Sequence, residues 1–196
     1  MIKRIITGVM ITAFLTACGG PQQQQQMDVI TDDIGNPHYT TQYQNDTRGK
    51  GVFPATWNVG GQKLFVFDPN KDAWAAYDAQ GNQVMTGSAS GGMDTCPDNK
   101  SESCRTVTGT FKVFNKKGPD CKSNEYPLAK DGGVAGGAKM PYCMHFYDGY
   151  AIHAAYEVPT WNSSHGCVRV LPGAAKWLSE NFMDVGTKVL VLPYNS

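Results

Sequence analysis

The stretch WNSSHGCVRV, residues 161–170, places a histidine two positions before a cysteine inside a run of small residues. On these residues alone, Cys167 has four roles open to it: a packed core residue, half of a disulfide, a metal ligand or a nucleophile. A lone buried cysteine is most often inert packing. The choice depends on the compartment of the protein and on its other cysteines.

The N-terminal segment has the parts of an export signal. The basic start MIKR is followed by an uncharged, apolar stretch of about a dozen residues and then by small residues. That stretch is shorter than the roughly 20 apolar residues of a membrane-spanning helix. The segment LTAC, which ends at Cys18, resembles the lipobox of bacterial lipoproteins. We expect a signal peptide over residues 1–17 and a lipid anchor on Cys18; an ordinary signal cut nearby, or a short anchor, is the alternative.

The residues after the expected cleavage site indicate a location and a domain boundary. Gly19, rather than aspartate, follows Cys18, and by the same resemblance this favours the outer membrane, facing the periplasm. Residues 18–50 are polar and contain a run of glutamines, so we expect a solvated tether. Residues 51–196 have a globular composition and suit one domain. The net charge is zero, so we expect no nucleic acid partner. We also expect a monomer.

Cysteine pairing decides which thiol is free. The chain has six cysteines, and outside the cytoplasm paired cysteines are oxidised. If Cys18 carries lipid, an odd number remains and one thiol is left over. Four paired cysteines allow three pairings, of which we favour Cys96 with Cys104 and Cys121 with Cys143. The cysteine of WNSSHGCVRV is then free, and a free thiol in an oxidising compartment needs a functional reason.

A metal site is the alternative use of the soft ligands in this region. Its candidate residues are Cys143, His145, His153, His165 and Cys167. Their spacings match no standard zinc pattern, and one of the two cysteines is needed for a disulfide. We therefore expect neither a metal nor another cofactor.

Periodicity indicates a mainly β domain with one short C-terminal helix. Alternating or continuous apolar runs bounded by turn residues predict strands. These runs are residues 63–68, 73–78, 83–90, 108–114, 150–154 and 187–193. Residues 172–182 predict a helix, because proline suits its first turn and Ala174, Leu178 and Phe182 share one face.

The residues around Cys167 suit a nucleophile. A thiol becomes reactive when a base takes its proton, and two histidines are available: His165, two positions away and on the same side of an extended segment, and His153 on a predicted strand. Gly166 allows a substrate to approach the backbone closely. Arg169 suits a carboxylate. Spacing leaves either histidine open as the base.

The segment SHGCVR, residues 164–169, resembles the signature of the L,D-transpeptidase (YkuD) catalytic domain family. The segments MPYCMHF (140–146), AIH (151–153) and TGTF (108–111) resemble further parts of that family, as do the hairpins at 63–87. Together the resemblance covers residues 62–193. It implies a β-sandwich or barrel-like fold with one short C-terminal helix.

The resemblance also implies a role for each residue of the site. Cys167 would be the nucleophile and His153 the base, oriented by a backbone carbonyl such as that of Ala154. The N–H groups of Gly166 and Cys167 would bind the oxyanion, while His165 would shape the pocket. The expected substrate contacts are Ser164, Arg169, Tyr142, Met140 and Trp161; the last three are equally suited to core packing. Two alanines follow His153 where the family commonly has glycine.

The activity implied is acyl transfer on peptidoglycan stem peptides. The thiolate would attack the carbonyl of the third residue of a tetrapeptide stem and release D-Ala. An amine of another stem, a lipoprotein lysine or a D-amino acid would then accept the acyl group. Two rivals stay open: an L,D-carboxypeptidase of the same fold, and a peptidoglycan-binding surface lipoprotein without turnover.

Overall fold

The computed structural model describes residues 46, 48–127 and 136–195, together with the backbone of residues 29–31 and 37–39. The expected signal peptide, the lipidated Cys18 and the glutamine run lie outside the described residues. The strands are β1 (Val29–Thr31), β2 (Pro37–Tyr39), β3 (Leu64–Asp68), β4 (Ala73–Tyr77), β5 (Gln83–Ser90), β6 (Gly109–Lys112), β7 (Asn115–Lys116), β8 (Met144–Tyr147), β9 (Tyr150–Ala154), β10 (Val168–Val170) and β11 (Lys188–Val191).

Nine of these strands form one curled sheet, in the order β6-β11-β3-β4-β5-β10-β9-β8-β7. Most neighbours are antiparallel, but β11 pairs with β3, and β10 with β9, in parallel. β1 and β2 pair only with each other. The fold is mainly β, as the sequence predicts, although the short strands β1, β2, β7, β8 and β10 were not predicted.

The centre of the sheet is buried on both faces. Along β3, Phe65 and Phe67 face the main core, whereas Leu64 and Val66 face a second, smaller cluster. Phe53 and Val59 cover that second face. Because both faces are covered, β3 is a continuous apolar run rather than an alternating one. Each fully buried large side chain stabilises the fold by about 1.5–3 kcal/mol.

One helix closes the main core. α1 (Pro172–Trp177) begins with proline at its first turn and continues into a π-helical turn, Leu178–Phe182. The N–H of Met183 donates to the carbonyl of Leu178 at 2.7 Å, which is the longer spacing of a π-helix. Ala174, Leu178 and Phe182 are all buried in the main core, so the predicted helix and its apolar face are confirmed.

The end of the polar N-terminal segment packs on the sheet. Asp46 is buried, and its carboxylate accepts hydrogen bonds from the N–H and the hydroxyl of Ser88 on β5. Arg48 donates to the carbonyl of Val158 at 2.7 Å. Gly49 lies so close to β5 that a β-carbon there would be 2.3 Å from Thr86 Oγ1. Residues just before position 51 therefore contact the domain.

The structure contains both disulfides that the sequence favours. Cys96 bonds to Cys104, and Cys121 bonds to Cys143. Each bridge closes a loop beside the same cleft, and Cys167 is the free cysteine among the described residues. Within the described part of the chain, no helix has the length and apolar character to cross a bilayer.

Candidate active site

A cleft of about 1120 Å³ opens along β9 and the start of β10. Its walls include parts of both disulfide-closed loops, and its floor holds Cys167, His153 and Arg169. The cleft brings together most of the residues that the sequence singles out. These are Met140, Tyr142, His153, Ser164, His165, Cys167 and Arg169.

Strand pairing places the nucleophile candidate beside the base candidate. β10 runs parallel to β9, with Val168 opposite Ile152 and Arg169 opposite His153. One residue earlier, Cys167 lies beside Ala151, against which it packs. Side chains two positions apart on a strand point to the same face. Cys167, just before β10, and His153 on β9 therefore lie on the same face of the sheet.

The Cys167 thiol is half-buried and free. Its Sγ lies 3.8 Å from the carbonyl oxygen of Gly149, to which it donates weakly. Burial raises the pKa of this thiol, against the opposing effects of a hydrogen bond with the Ala151 backbone and of the Arg169 charge. The group is therefore a thiol rather than a thiolate at neutral pH, and it needs a base in order to attack.

His153 has the geometry and the protonation state of a general base. Its side chain is buried, and Nδ1 lies 2.8 Å from the carbonyl oxygen of Ala154. A carbonyl only accepts, so Nδ1 carries the proton and Nε2 keeps its lone pair. Burial lowers the pKa of His153 to about 4; the Ala154 bond opposes this effect, and the Arg169 and His145 charges add to it. The imidazole is therefore neutral at pH 7.

The carbonyl that orients His153 is itself held in place. The N–H of Ala154 donates to the carbonyl of Pro141 at 2.8 Å, which ties the end of β9 to the MPY segment. Next to it, Tyr142 adopts a left-handed φ of 58°, an uncommon conformation for a non-glycine residue. Alanine at position 154 thus supplies the orienting carbonyl, although the family commonly has glycine nearby.

The turn before the nucleophile is organised by Ser164. Its hydroxyl accepts the Gly166 N–H at 3.0 Å and donates to the Cys167 carbonyl at 2.5 Å. Gly166 has a φ of 124°, and a β-carbon there would be 2.5 Å from the Tyr150 ring. Only glycine fits this position. The Gly166 N–H already donates to Ser164 Oγ. Of the two N–H groups expected to bind the oxyanion, that of Cys167 is therefore the better candidate.

Arg169 supplies positive charge to the cleft. Its guanidinium donates to Ser163 Oγ at 3.2 Å and lies 3.8 Å from a carboxylate oxygen of Glu157. The guanidinium is mostly shielded, with 24% of the side chain exposed. It is placed to attract a carboxylate of a bound peptide and to favour the thiolate that forms during attack.

The His165 side chain contacts residues of the cleft wall. Its Nε2 lies 3.1 Å from Asp98 Oδ1, and since a carboxylate accepts, Nε2 carries a proton. Its ring packs on Tyr126, with ring centroids 4.4 Å apart. These contacts are those of a residue in the wall of the cleft. The preference for His153 as the base rests instead on its burial, its neutral state and its position on the same face of the sheet as Cys167.

The three remaining residues that were expected to contact the substrate lie in different places. Met140 is buried against the 121–143 disulfide and borders the cleft floor. Tyr142 lines the cleft, with Lys176 Nζ 5.4 Å from its ring centre. Trp161 is 64% exposed and is not among the residues that line the cleft. The structure therefore does not bring Trp161 together with the other candidates.

Two of the five metal ligands considered from the sequence are committed to other contacts. Cys143 is in a disulfide, and His153 is bonded through Nδ1 to a carbonyl. Among the described residues, one group of three possible ligand atoms lies close together, and it belongs to Cys96, Asp98 and Cys104. The two sulfurs of this group are bonded to each other in a disulfide. No other group of three candidate ligands lies close together in the described part of the chain.

Several residues in the cleft or beside the nucleophile turn were not identified from the sequence. Asp98, Tyr126 and Tyr150 contact the nucleophile turn, and Glu157 pairs with Arg169. One signal was available for Asp98, since the Cys96–Cys104 pairing closes a short loop around it. Nothing in the sequence indicates which residue that loop faces.

Comparison with known proteins gives a consistent result. A sequence model of the L,D-transpeptidase catalytic domain, YkuD, matches residues 55–191. An L,D-transpeptidase from Xylanimonas cellulosilytica is similar in structure, with 26% identity and a TM-score of 0.58 over 71% of this chain and 65% of that one. An L,D-transpeptidase from Stackebrandtia nassauensis has 24% identity and a TM-score of 0.54, over 74% and 62%.

More distant structures share the fold. L,D-transpeptidase 3 from Mycobacterium tuberculosis, in complex with a faropenem-derived adduct, has 16% identity and a TM-score of 0.51 over 67% of this chain and 60% of that one. This chain thus spans less than two thirds of the length of each of these three structures. No curated protein sequence matches the chain.

Proposed function

The chain belongs to the L,D-transpeptidase catalytic domain (YkuD) family, and from this premise we propose that it is a peptidoglycan L,D-transpeptidase with Cys167 as its nucleophile. The observation that carries the proposal is the pairing of β9 with β10. It places a free thiol and a buried, neutral imidazole on one face of the sheet, at the floor of a cleft large enough for a peptide.

The resting pair is a neutral thiol and a neutral imidazole. Burial raises the pKa of Cys167 and lowers that of His153, so both shifts disfavour a pre-formed thiolate–imidazolium pair. The proton of the thiol therefore moves to His153 Nε2 as the sulfur attacks. The imidazolium that forms is stabilised by the bond from Nδ1–H to the Ala154 carbonyl.

The first half-reaction acylates the enzyme. Sulfur bonds to the carbonyl carbon of the third stem residue, and the negative charge that develops on the oxygen faces the Cys167 N–H. The bond from that carbon to the nitrogen of D-Ala then breaks. His153 returns its proton to the departing amine, and a thioester remains on Cys167.

The second half-reaction transfers the acyl group to an amine. The acceptor nitrogen attacks the thioester carbon and loses a proton to His153, after which the carbon–sulfur bond breaks and the thiol is re-protonated. A diaminopimelate side chain as acceptor gives a 3→3 cross-link, whereas a lipoprotein lysine or a D-amino acid gives an attached product. No cofactor enters this scheme.

Acylation by a β-lactam tests the nucleophile. Because the L,D-transpeptidase 3 structure holds a faropenem-derived adduct, we expect faropenem to add one covalent group to this protein. Intact-mass measurement should show the adduct on the wild type and not on Cys167→Ala. An adduct of equal yield on both proteins would show that another residue reacts.

Water as acceptor is the alternative outcome of the same chemistry. The cleft is open to solvent at the half-buried Cys167, which also suits an L,D-carboxypeptidase that releases tripeptides. A surface lipoprotein that binds peptidoglycan without turnover is the other rival. An intact thiol, imidazole and orienting carbonyl argue against it.

We also propose that the domain is held at the outer membrane, facing the periplasm, through lipid on Cys18. The LTAC segment and the following polar residues support this location, and two disulfides suit an oxidising compartment. The Cys18→Ser protein should then leave the membrane fraction. Retention of that variant in the membrane would contradict the anchor.

A further inference from the structure

His165 is held from two sides by residues of separate loops. Asp98, in the loop closed by the Cys96–Cys104 disulfide, accepts a hydrogen bond from Nε2 at 3.1 Å. Tyr126, in the loop closed by the Cys121–Cys143 disulfide, packs on the ring at 4.4 Å with the planes inclined by 31°. The histidine thus joins the two walls of the cleft directly above the nucleophile turn.

The Asp98 carboxylate is itself fixed by its loop. Its oxygen lies within 4.8 Å of both sulfurs of the disulfide. Inside the loop, the Cys96 N–H donates to the Glu102 carbonyl at 2.9 Å and the Glu102 N–H donates to the Asn99 carbonyl at 3.0 Å. A short cross-linked loop has few other conformations. Asp98 is therefore presented to His165 with little loss of freedom.

The Asp98–His165 bond is only partly shielded from water. About a third of each side chain is exposed, 32% for Asp98 and 29% for His165. Fully exposed ion pairs contribute little because solvent screens them and the side chains lose freedom. Here the loop has already restricted the carboxylate, and the tyrosine ring has already restricted the imidazole.

The nucleophile turn needs a support on this side. His165 is bonded to Gly166, whose φ of 124° lies outside the range of other residues and whose α-carbon packs against Tyr150. Ser164 fixes the turn from one side through the Gly166 N–H and the Cys167 carbonyl. The contact that fixes it from the other side is the one between His165 and Asp98.

We propose that Asp98 is a positioning residue for Cys167, acting by holding His165 against Tyr126 so that the thiol faces His153. Asp98 touches neither the thiol nor the imidazole of the base. Its bond also keeps Nε2 of His165 protonated toward the loop, away from the nucleophile. The inference rests on the proposed function for its meaning in turnover, but its effect on the thiol is measurable without substrate.

The test is the second-order rate of Cys167 alkylation by iodoacetamide, followed by peptide mass spectrometry on the full chain. Contacting residues couple strongly enough for a change of about three- to tenfold, so Asp98→Ala should slow alkylation by that factor. Asp98→Asn keeps an oxygen that accepts the Nε2 proton and should stay within about twofold of the wild type. The matched control is Asp94→Ala, which removes an exposed carboxylate paired with Arg105 outside the cleft.

A second comparison separates positioning from general stability. The Cys96→Ser/Cys104→Ser protein loses the closure of the loop and should slow alkylation like Asp98→Ala. Adding Asp98→Ala to it should cause little further loss, because both changes act through one contact. Fully additive effects, or an Asn variant as slow as the Ala variant, would overturn the proposal.

Turnover is measured on the same proteins to keep the two proposals apart. If the wild type releases D-Ala from tetrapeptide stems, Asp98→Ala should lower kcat more than it raises KM. If a folded Asp98→Ala protein has the same alkylation rate and the same kcat as the wild type, the positioning role is contradicted and the proposed function is unaffected. Slowed alkylation in Asp98→Ala, with no turnover even by the wild type, would support positioning and contradict the proposed function.

Discussion

At the scale of single residues, the burial of His153 should determine how the activity depends on acidic pH. Burial lowers its pKa from an ordinary 6.5 to about 4. A histidine whose pKa is lowered in the folded state stays neutral down to that value, so it remains able to accept the thiol proton across pH 5–7. An exposed histidine would already be half protonated near pH 6.5.

We therefore expect kcat/KM for stem peptides to fall on the acid side with a midpoint near 4. The folded fraction is followed in parallel by tryptophan fluorescence, so that acid unfolding is recognised. A midpoint near 6.5 in a fully folded protein would contradict the burial of the base.

Replacement of His153 by alanine should lower kcat/KM by about 10²-fold or more, the usual size of a general-base effect. A larger loss of kcat/KM on replacement of His165 alone would reverse the assignment of the base.

At the scale of an element, the turn between β3 and β4 contains a partly buried carboxylate, that of Asp72. Asp72 has a left-handed φ of 48°, and its Oδ1 is buried without a hydrogen-bond partner among the described residues. Burial raises the pKa of Asp72 from 3.8 to about 6; the Arg48 charge opposes the rise and the Asp68 charge adds to it. At neutral pH the turn therefore holds an ionised group that folding disfavours.

Asp72→Asn should stabilise the protein at pH 7. A raised carboxyl pKa means that the folded wild type gains stability as pH falls from about 6 towards 3.8. The neutral asparagine removes the cost above pH 6, and it tolerates the left-handed backbone. After discounting for partial exposure, we expect a gain of about 1 kcal/mol.

Urea unfolding of both proteins at several pH values measures this difference. The advantage of the asparagine should shrink as pH falls through 6 and vanish below about 4. Asp68→Asn is a useful comparison, because it removes a neighbouring negative charge that also raises the pKa of Asp72. An advantage that does not change with pH would indicate that turn conformation, rather than charge, is responsible.

For the whole molecule, local patterns predicted the elements better than their arrangement. Strands at 64–68, 73–77, 83–90 and 150–154 and the helix at 172–182 follow from apolar runs and turn residues, which act over a few positions. β7 has only two residues, both polar, and β8 has four, so neither is long enough to show a periodicity. The family resemblance, rather than periodicity, supplied the barrel-like closure.

The site shows the same division between local and distant information. Both disulfides and the nucleophile segment could be read from residue spacing and resemblance. The choice of His153 over His165 came from the resemblance and not from spacing, because the parallel pairing of β9 with β10 is not specified by local patterns. Trp161 was expected to contact the substrate or to pack in the core, yet its side chain is exposed and lies outside the cleft lining.

The central claim is that Cys167 transfers an acyl group between peptidoglycan stems. The most direct test is mass spectrometry of purified tetrapeptide muropeptides after incubation with the protein, beside the Cys167→Ala variant. We predict cross-linked dimers that have lost one D-Ala, formed by the wild type and absent with the variant. Tripeptide monomers alone would make the enzyme a carboxypeptidase. Identical products from wild type and variant would contradict the account.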